Sequence, residues 1–149
     1  MTGNTRRKLL LELFPKANQS ATALSITSPI DFGYNCVAWA VGRTDRWWQP
    51  ATPGLYWPTT EDDSSLETYI RMFINQGFSK CDSSKLENGF SKVALYVDDV
   101  GAFLHVARQL DGGRWSSKCG AQSDISHSTP ELLEGPAYGR VWGFLKRPI

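Results

Sequence analysis

Hydrophobic residues recur at helical spacing in one clear stretch of the first half of the chain. They are Leu66, Tyr69, Ile70, Phe73 and Ile74. The preceding residues 60–65 supply capping and acidic side chains for a helix N-terminus, and Gly77 is well placed to end the helix. The pattern predicts an amphipathic helix whose apolar stripe belongs to the core.

Two shorter helices are predicted nearer the N-terminus. Residues 7–14 have the spacing of a short amphipathic helix, which Pro15 ends. A second helix starts at Asn35 or Cys36 and stops near Gly42. The irregular segments are a Ser-, Thr- and Ala-rich connector at 18–28 and a proline-rich, aromatic stretch at 43–60.

The second half of the chain has the short apolar runs and turn residues that are typical of β-strands. Strands are predicted at residues 92–97, 102–110, 114–118 and 139–146. Between them lie a turn at 98–101, a hairpin loop at 111–113, a looser stretch holding Asp124 and His127, and a short helix at 130–133 capped by Ser128 or Thr129. Helices followed by an antiparallel meander predict one α+β domain over residues 1–149.

Composition excludes some classes of function. The formal net charge is +1, and no basic stripe is visible, so neither nucleic acid nor an anionic membrane surface is expected as a partner. Three cysteines, an odd number, argue against a disulfide framework. The apolar run at 9–11 is interrupted by Glu12 before it reaches signal-peptide length. We therefore expect a cytoplasmic protein, or one delivered by a secretion system without a cleavable signal peptide.

Cys36 is the residue with the most reactive sequence context. It lies between a turn-prone approach at 31–35 and a short apolar helix, and a thiol in the first turn of a helix feels the positive end of the macrodipole. The sequence therefore predicts a thiolate-favouring site. The alternative is a buried cysteine that packs as a small hydrophobe. Cys81 and Cys119 have no comparable context.

The segments Asn-Cys-Val-Ala-Trp-Ala at 35–40 and His-Val-Ala at 105–107 resemble the papain-like superfamily, in particular its compact NlpC-type and CHAP-type branch. The resemblance implies N-terminal helices packed on an antiparallel β-meander and an amidohydrolase or peptidase activity. It also implies an N-terminal helix and connector at 1–28 and a catalytic-like core at 29–149.

Most of the chain from Tyr34 onward also resembles a family of small bacterial and toxin-associated proteins. The matching segments are 34–42, Trp47-Trp48, 56–58, 105–110, 117–120, 125–127 and Tyr138-Gly139. That resemblance implies an effector used against other cells, with an immunity or inhibitor protein as a partner. It assigns no reaction.

The catalytic roles follow from the chemistry of a thiol nucleophile. Cys36 needs a base that ionises it and then protonates the leaving group, and an imidazole does both. The chain has two histidines, His105 and His127, and His105 lies in an apolar predicted strand. A structural histidine is the alternative interpretation of His105.

A third group should orient the imidazole, and the resemblance places it on the strand after the histidine strand. If residues 111–113 form a three-residue loop, position 107 faces 117, and Ser117 shares the face of His105. A two-residue loop would select Ser116 instead. We prefer Ser117 because the longer loop allows a left-handed glycine.

A serine hydroxyl orients an imidazole more weakly than the acidic, amide or imidazole groups usual in the superfamily. His127 or Asp124 can take the orienting role if the loop before them folds back. The oxyanion would be held by the backbone N–H of Cys36 and by Asn35 or Tyr34. An asparagine before a helix is equally often only a cap.

Four aromatic residues in the irregular stretch have two interpretations. They are Trp47, Trp48, Tyr56 and Trp57. They line a substrate groove beside Cys36, or they pin a long loop onto the core.

The sequence thus predicts a cysteine-dependent hydrolase or acyltransferase that needs no cofactor. Its substrate would be a peptide or protein, including a peptidoglycan stem peptide. One alternative is a non-catalytic interaction module on the same fold. Another is a metal site built from Cys36, His105 and His127 with Asp124 or Cys119, which the lack of closely paired ligands disfavours.

Overall fold

One antiparallel sheet of seven strands organises the chain in a computed structural model that describes residues 3–19, 23–60, 63–119 and 123–149. The helices are α1 (Gly3–Leu13), α2 (Cys36–Ala40) and α3 (Leu66–Asn75), with short 3-10 helices at Pro15–Gln19 and Pro130–Leu133. The strands are β1 (Leu24–Ile26), β2 (Ser79–Cys81), β3 (Phe90–Val97), β4 (Phe103–Gln109), β5 (Trp115–Lys118), β6 (Asp124–His127) and β7 (Arg140–Pro148). Within these described ranges, no helix is long and apolar enough to cross a membrane.

The strand order is β1-β6-β5-β4-β3-β7-β2. Strands β3 to β6 follow one another as a meander, and β7 returns to pair with β3 on its other side. The fold is therefore α+β, as the sequence predicts. The four strands predicted in the second half correspond to β3, β4, β5 and β7.

Side chains alternate between two buried faces of this sheet, as the two-residue period of a strand requires. Val93, Leu95 and Val106 face the first cluster, which α2 and α3 cover. Ala94 and Ala107 face the second cluster, to which the N-terminal segment and the second 3-10 helix contribute. The residues of β4 therefore contact two different environments in turn.

Helix α2 begins at Cys36 because the preceding Asn35 caps it. The Asn35 Oδ1 accepts the N–H of Ala38 at 3.1 Å. The helix lies against β4 and β5. Its Trp39 donates from Nε1 to the Ser116 hydroxyl at 3.0 Å, and the Arg108 guanidinium lies 4.5 Å from the Trp39 ring centroid. These contacts fix the start of α2 over the centre of the sheet.

Helix α3 confirms the clearest sequence pattern. Ser65 caps it through its hydroxyl, which accepts the N–H of Thr68 at 3.3 Å, and Gly77 follows its end with φ of 94°. Two of the acidic residues expected before it, Glu61 and Asp62, lie outside the described residues. The predicted first helix also exists, although α1 begins at Gly3 rather than near residue 7.

Two predictions of irregular structure are wrong. The connector at 18–28 contains β1, and the looser stretch around Asp124 and His127 is strand β6. Strand β1 is too short to show a period. Strand β6 has one apolar residue, Ile125, among polar residues with weak strand preference, and it pairs on both sides with other strands. Tertiary pairing therefore creates both strands. The helix predicted at 130–133 forms as a 3-10 helix.

Gly139 is expected to be irreplaceable. It has φ of 71°, and a methyl group built on it would overlap the backbone carbonyl of Val97. Gly42 has φ of 88° but open space around the same position. Gly42→Ala should cost about 1–2 kcal/mol of unfolding free energy through its backbone conformation alone. Gly139→Ala should cost clearly more in urea denaturation, and equal losses would contradict this account.

Candidate active site

A single hydroxyl group, that of Ser117, lies between two imidazole rings. Its Oγ is 2.9 Å from Nε2 of His105 and 2.9 Å from Nε2 of His127. The other ring nitrogen of His127, Nδ1, lies 2.8 Å from the backbone carbonyl oxygen of Thr129. Ser117 and both histidines are at most 1% exposed. The four groups form one buried hydrogen-bonded chain.

The register of the strands brings these side chains together. Strands β4 and β5 pair Arg108 with Ser116, which places position 107 opposite 117 and confirms the three-residue loop at 111–113. Their backbone pairing ends there, so the His105–Ser117 hydrogen bond joins the two strands beyond the ladder. Strand β6 pairs His127 with Trp115, a residue on the Ser117 face.

His105 is also held by an aromatic ring. The Tyr138 ring stacks on the imidazole with a centroid distance of 3.9 Å and an interplanar angle of 2°. The Tyr96 ring lies 5.3 Å away on the same side of the sheet. The imidazole therefore has little freedom to rotate.

Burial keeps both imidazoles neutral at pH 7. Desolvation, with a smaller repulsion from His127, lowers the pKa of His105 well below 6.5. Desolvation also lowers the pKa of His127 to about 4, although the hydrogen bond to Thr129 acts in the opposite direction.

Cys36 lies next to β4. It is half-buried and packs against the first cluster, beside Val106. Burial raises the pKa of its thiol to about 11, while the backbone N–H groups of Val106 and Val37 and the charge of Lys118 favour the thiolate. The prediction of a depressed pKa is therefore wrong, because desolvation outweighs the helix start.

The structure places Cys36 beside Val106, the strand residue that follows His105. In the described part of the chain, no hydrogen bond joins the Cys36 thiol to His105, and Nδ1 of His105 has no hydrogen-bond partner. His105, Ser117 and His127 thus meet as a group, and the thiol approaches the same strand at Val106.

Lys118 is a residue of the site that the sequence analysis missed. It is fully buried, donates to the carbonyl of Asp31, and lies 4.9 Å from the Tyr34 ring centroid. Its charge favours the thiolate of Cys36, and burial lowers its own pKa. The signal was the alternation in β5, which puts Ser116 and Lys118 on the face that α2 covers.

The residues proposed as oxyanion donors make other hydrogen bonds. Asn35 donates from Nδ2 to the Trp48 carbonyl at 2.9 Å, and its Oδ1 accepts the Trp48 N–H at 3.1 Å in addition to capping α2. Tyr34 donates its hydroxyl to Asp124 Oδ2 at 2.7 Å. Asp124 therefore lies with Tyr34, and the group that contacts His105 is Ser117.

The aromatic residues of the irregular stretch make the contacts that pinning a loop requires. Trp48 is buried against Tyr56, with ring centroids 5.0 Å apart. Trp57 packs edge-on against Tyr69 at 5.4 Å. Trp47 donates from Nε1 to the carbonyl of Phe32 at 2.7 Å. Together they attach the loop to the core and to the segment before Cys36.

A metal centre finds no support in the arrangement of ligands. Across the described ranges, no group of three or more His, Cys, Asp or Glu side chains converges to hold an ion. The two histidines are engaged with Ser117, and His127 also with the Thr129 carbonyl.

The fold and the site define an α+β protein with a buried His-Ser-His chain beside a cysteine at a helix start. Residues 25–146 match the family described as "Domain of unknown function (DUF7689)", and the chain belongs to that family. No curated protein and no solved structure matches the chain.

Acid should destabilise the fold through the buried imidazoles. The pKa of His127 falls from 6.5 to about 4 on folding, so its contribution is complete above pH 6.5 and is lost as the pH falls toward 4. His127 alone accounts for about 3 kcal/mol of unfolding free energy over this window. Urea denaturation from pH 7 to 4 measures it. The variant His127→Phe should lose this part of the slope, and an unchanged slope would contradict the assignment.

Proposed function

We propose that this protein is a cysteine-dependent hydrolase or acyltransferase that acts on an amide or peptide-type bond. Cys36 is the nucleophile and His105 is the general base. The observation that carries the proposal is the state of His105. Ser117 holds its Nε2, Tyr138 holds its ring, and Nδ1 is left without a partner in the described part of the chain. A fixed imidazole with one unpaired nitrogen is what a base requires.

The reaction proceeds through a thioester. Nδ1 of His105 takes the proton of the Cys36 thiol, and the sulfur attacks the substrate carbonyl carbon. The tetrahedral intermediate collapses as the imidazolium returns that proton to the departing amine, and the C–N bond breaks. Water or a second amine then attacks the thioester, with His105 removing its proton, and the thiol is restored.

The raised pKa of Cys36 is compatible with this sequence of steps. The thiol is neutral at rest, so its proton leaves when thiol and imidazole come into contact. Catalysis therefore requires the thiol to move from the Val106 N–H toward Nδ1 of His105. Catalytic hydrogen bonds are often long in unliganded enzymes and tighten when substrate binds. Lys118 supplies a buried positive charge that favours the thiolate and the oxyanion that follows it.

The apolar part of a substrate has a place next to Tyr138, the residue whose ring stacks on His105. A cavity of about 400 Å³ lies between α1 and the sheet and is lined mainly by apolar side chains, including Leu10, Ile125 and Ala137. Cys119 and Tyr138 also line it, and Tyr138 is the residue that stacks on His105. Its size and lining are those of a ligand pocket.

The finer class that we propose is papain-like, of the NlpC or CHAP type. Three features support it: a cysteine at a helix start, a histidine on the sheet, and an orienting group on the next strand. The resemblance to toxin-associated proteins adds an effector role, a peptide, protein or peptidoglycan stem as substrate, and an immunity or inhibitor protein as partner. This part of the proposal rests on analogy with the resembling sequences.

A non-catalytic interaction module is the second candidate. Its support is the half-buried thiol, whose pKa burial raises to about 11, as is typical of a structural cysteine. The two candidates predict different thiol reactivity.

Labelling with a peptide-based acyl electrophile distinguishes them. Cys119 is the matched control, because it is also half-buried and burial raises its pKa to about 12. At pH 7.5, Cys36 should react at least tenfold faster than Cys119, and His105→Gln should slow Cys36 by roughly a hundredfold. Mass spectrometry of digested protein gives each rate. Equal, slow rates at both cysteines, unchanged by His105→Gln, would contradict the enzymatic function and favour the interaction module.

A further inference from the structure

The hydrogen bonds around Ser117 determine where each proton lies. A backbone carbonyl only accepts, so the 2.8 Å contact with Thr129 requires a proton on Nδ1 of His127. A neutral imidazole carries one proton, so Nε2 of His127 is an acceptor. The hydroxyl of Ser117, 2.9 Å away, must donate to it.

The same reasoning passes through the hydroxyl to His105. Because the single proton of Ser117 points to His127, its oxygen accepts from His105, and Nε2 of His105 must carry the proton. Nδ1 of His105 then has a lone pair and no proton. If the donors and acceptors along this chain were reversed, two donors or two acceptors would face each other at one of the three hydrogen bonds.

The aromatic surroundings of the two rings favour neutral forms. His105 is faced by His127 through Ser117 and by the rings of Tyr96 and Tyr138. Among the described residues, no carboxylate forms a hydrogen bond or ion pair with either imidazole. A protonated ring would lack the partner that normally stabilises a buried cation.

We propose that His127 and the Thr129 carbonyl form a tautomer-setting relay that acts through Ser117 to present Nδ1 of His105 as a base. His127 is therefore a positioning residue, since Ser117 separates it from His105. This inference explains how a serine can serve where a stronger orienting group is usual, because the second imidazole fixes the direction of the hydroxyl. Its catalytic meaning rests on the proposed function, and its proton order does not.

The relay also accommodates the charged state of His105. When Nδ1 takes the thiol proton, Nε2 keeps its own proton and continues to donate to Ser117. No proton needs to move along the chain, and the oxygen of Ser117 faces the new positive charge. The relay therefore needs no rearrangement during the transfer.

Nitrogen-15 NMR of the imidazoles tests the relay in the full chain carrying Cys36→Ala. At pH 7, the spectrum should show His105 protonated at Nε2 and His127 protonated at Nδ1. Replacing the acceptor by His127→Phe should release the Ser117 hydroxyl and shift His105 toward its Nδ1-protonated form. Ser126→Ala, in the same strand but bonded to Arg114, is the matched control and should leave both rings unchanged. A His105 protonated at Nδ1 in the Cys36→Ala protein would overturn the relay.

Labelling of Cys36 supplies the second readout. If the relay positions the base, His127→Phe should slow labelling by roughly tenfold or more, whereas Ser126→Ala should not. If both histidines show the predicted tautomers but Cys36 is unreactive, the proposed enzymatic function is contradicted and the relay is supported. If Cys36 is reactive and His127→Phe labels at the same rate, the positioning role of His127 is contradicted and the enzymatic function is supported.

Discussion

The Ser117 hydroxyl, shared by two buried imidazoles, is the interaction on which the rest of the site depends. It lies where the backbone pairing of β4 and β5 ends, and it joins three successive strands through side chains. Each buried nitrogen that it contacts would otherwise lose the hydrogen bonds that water provides. Because all three polar groups are enclosed, the geometry of His105 follows from the fold, and solvent has little part in it.

Strand β4 connects the two halves of the candidate chemistry. His105 points into the cluster that contains Tyr96, and Val106 points into the cluster that α2 covers. The thiol of Cys36 lies at the Val106 N–H, one residue from His105 along the strand. The molecule thus places a neutral thiol, a neutral imidazole and the buried amine of Lys118 around the same part of the sheet.

Local features of the chain predict much of this arrangement, and tertiary pairing accounts for the rest. The start of α2 follows from the Asn35 cap, and the choice of Ser117 follows from the length of the 111–113 loop. The sequence offers His127 only as an alternative orienting group, because its hydrogen bond to Ser117 depends on strand β6, which has a single apolar residue and forms through its neighbours β1 and β5. The raised pKa of the Cys36 thiol also depends on the packed structure, because it results from burial, which the local sequence around Cys36 does not specify.

The most direct measurement is a crystal structure of the protein with Cys36 alkylated by iodoacetamide. The adduct leaves an amide on the sulfur, close to where a substrate carbonyl would lie. The account predicts that this amide, or the sulfur itself, lies within hydrogen-bond distance of Nδ1 of His105. An adduct held on the α2 side, with the backbone of β4 between it and the imidazole, would contradict the pairing of nucleophile and base.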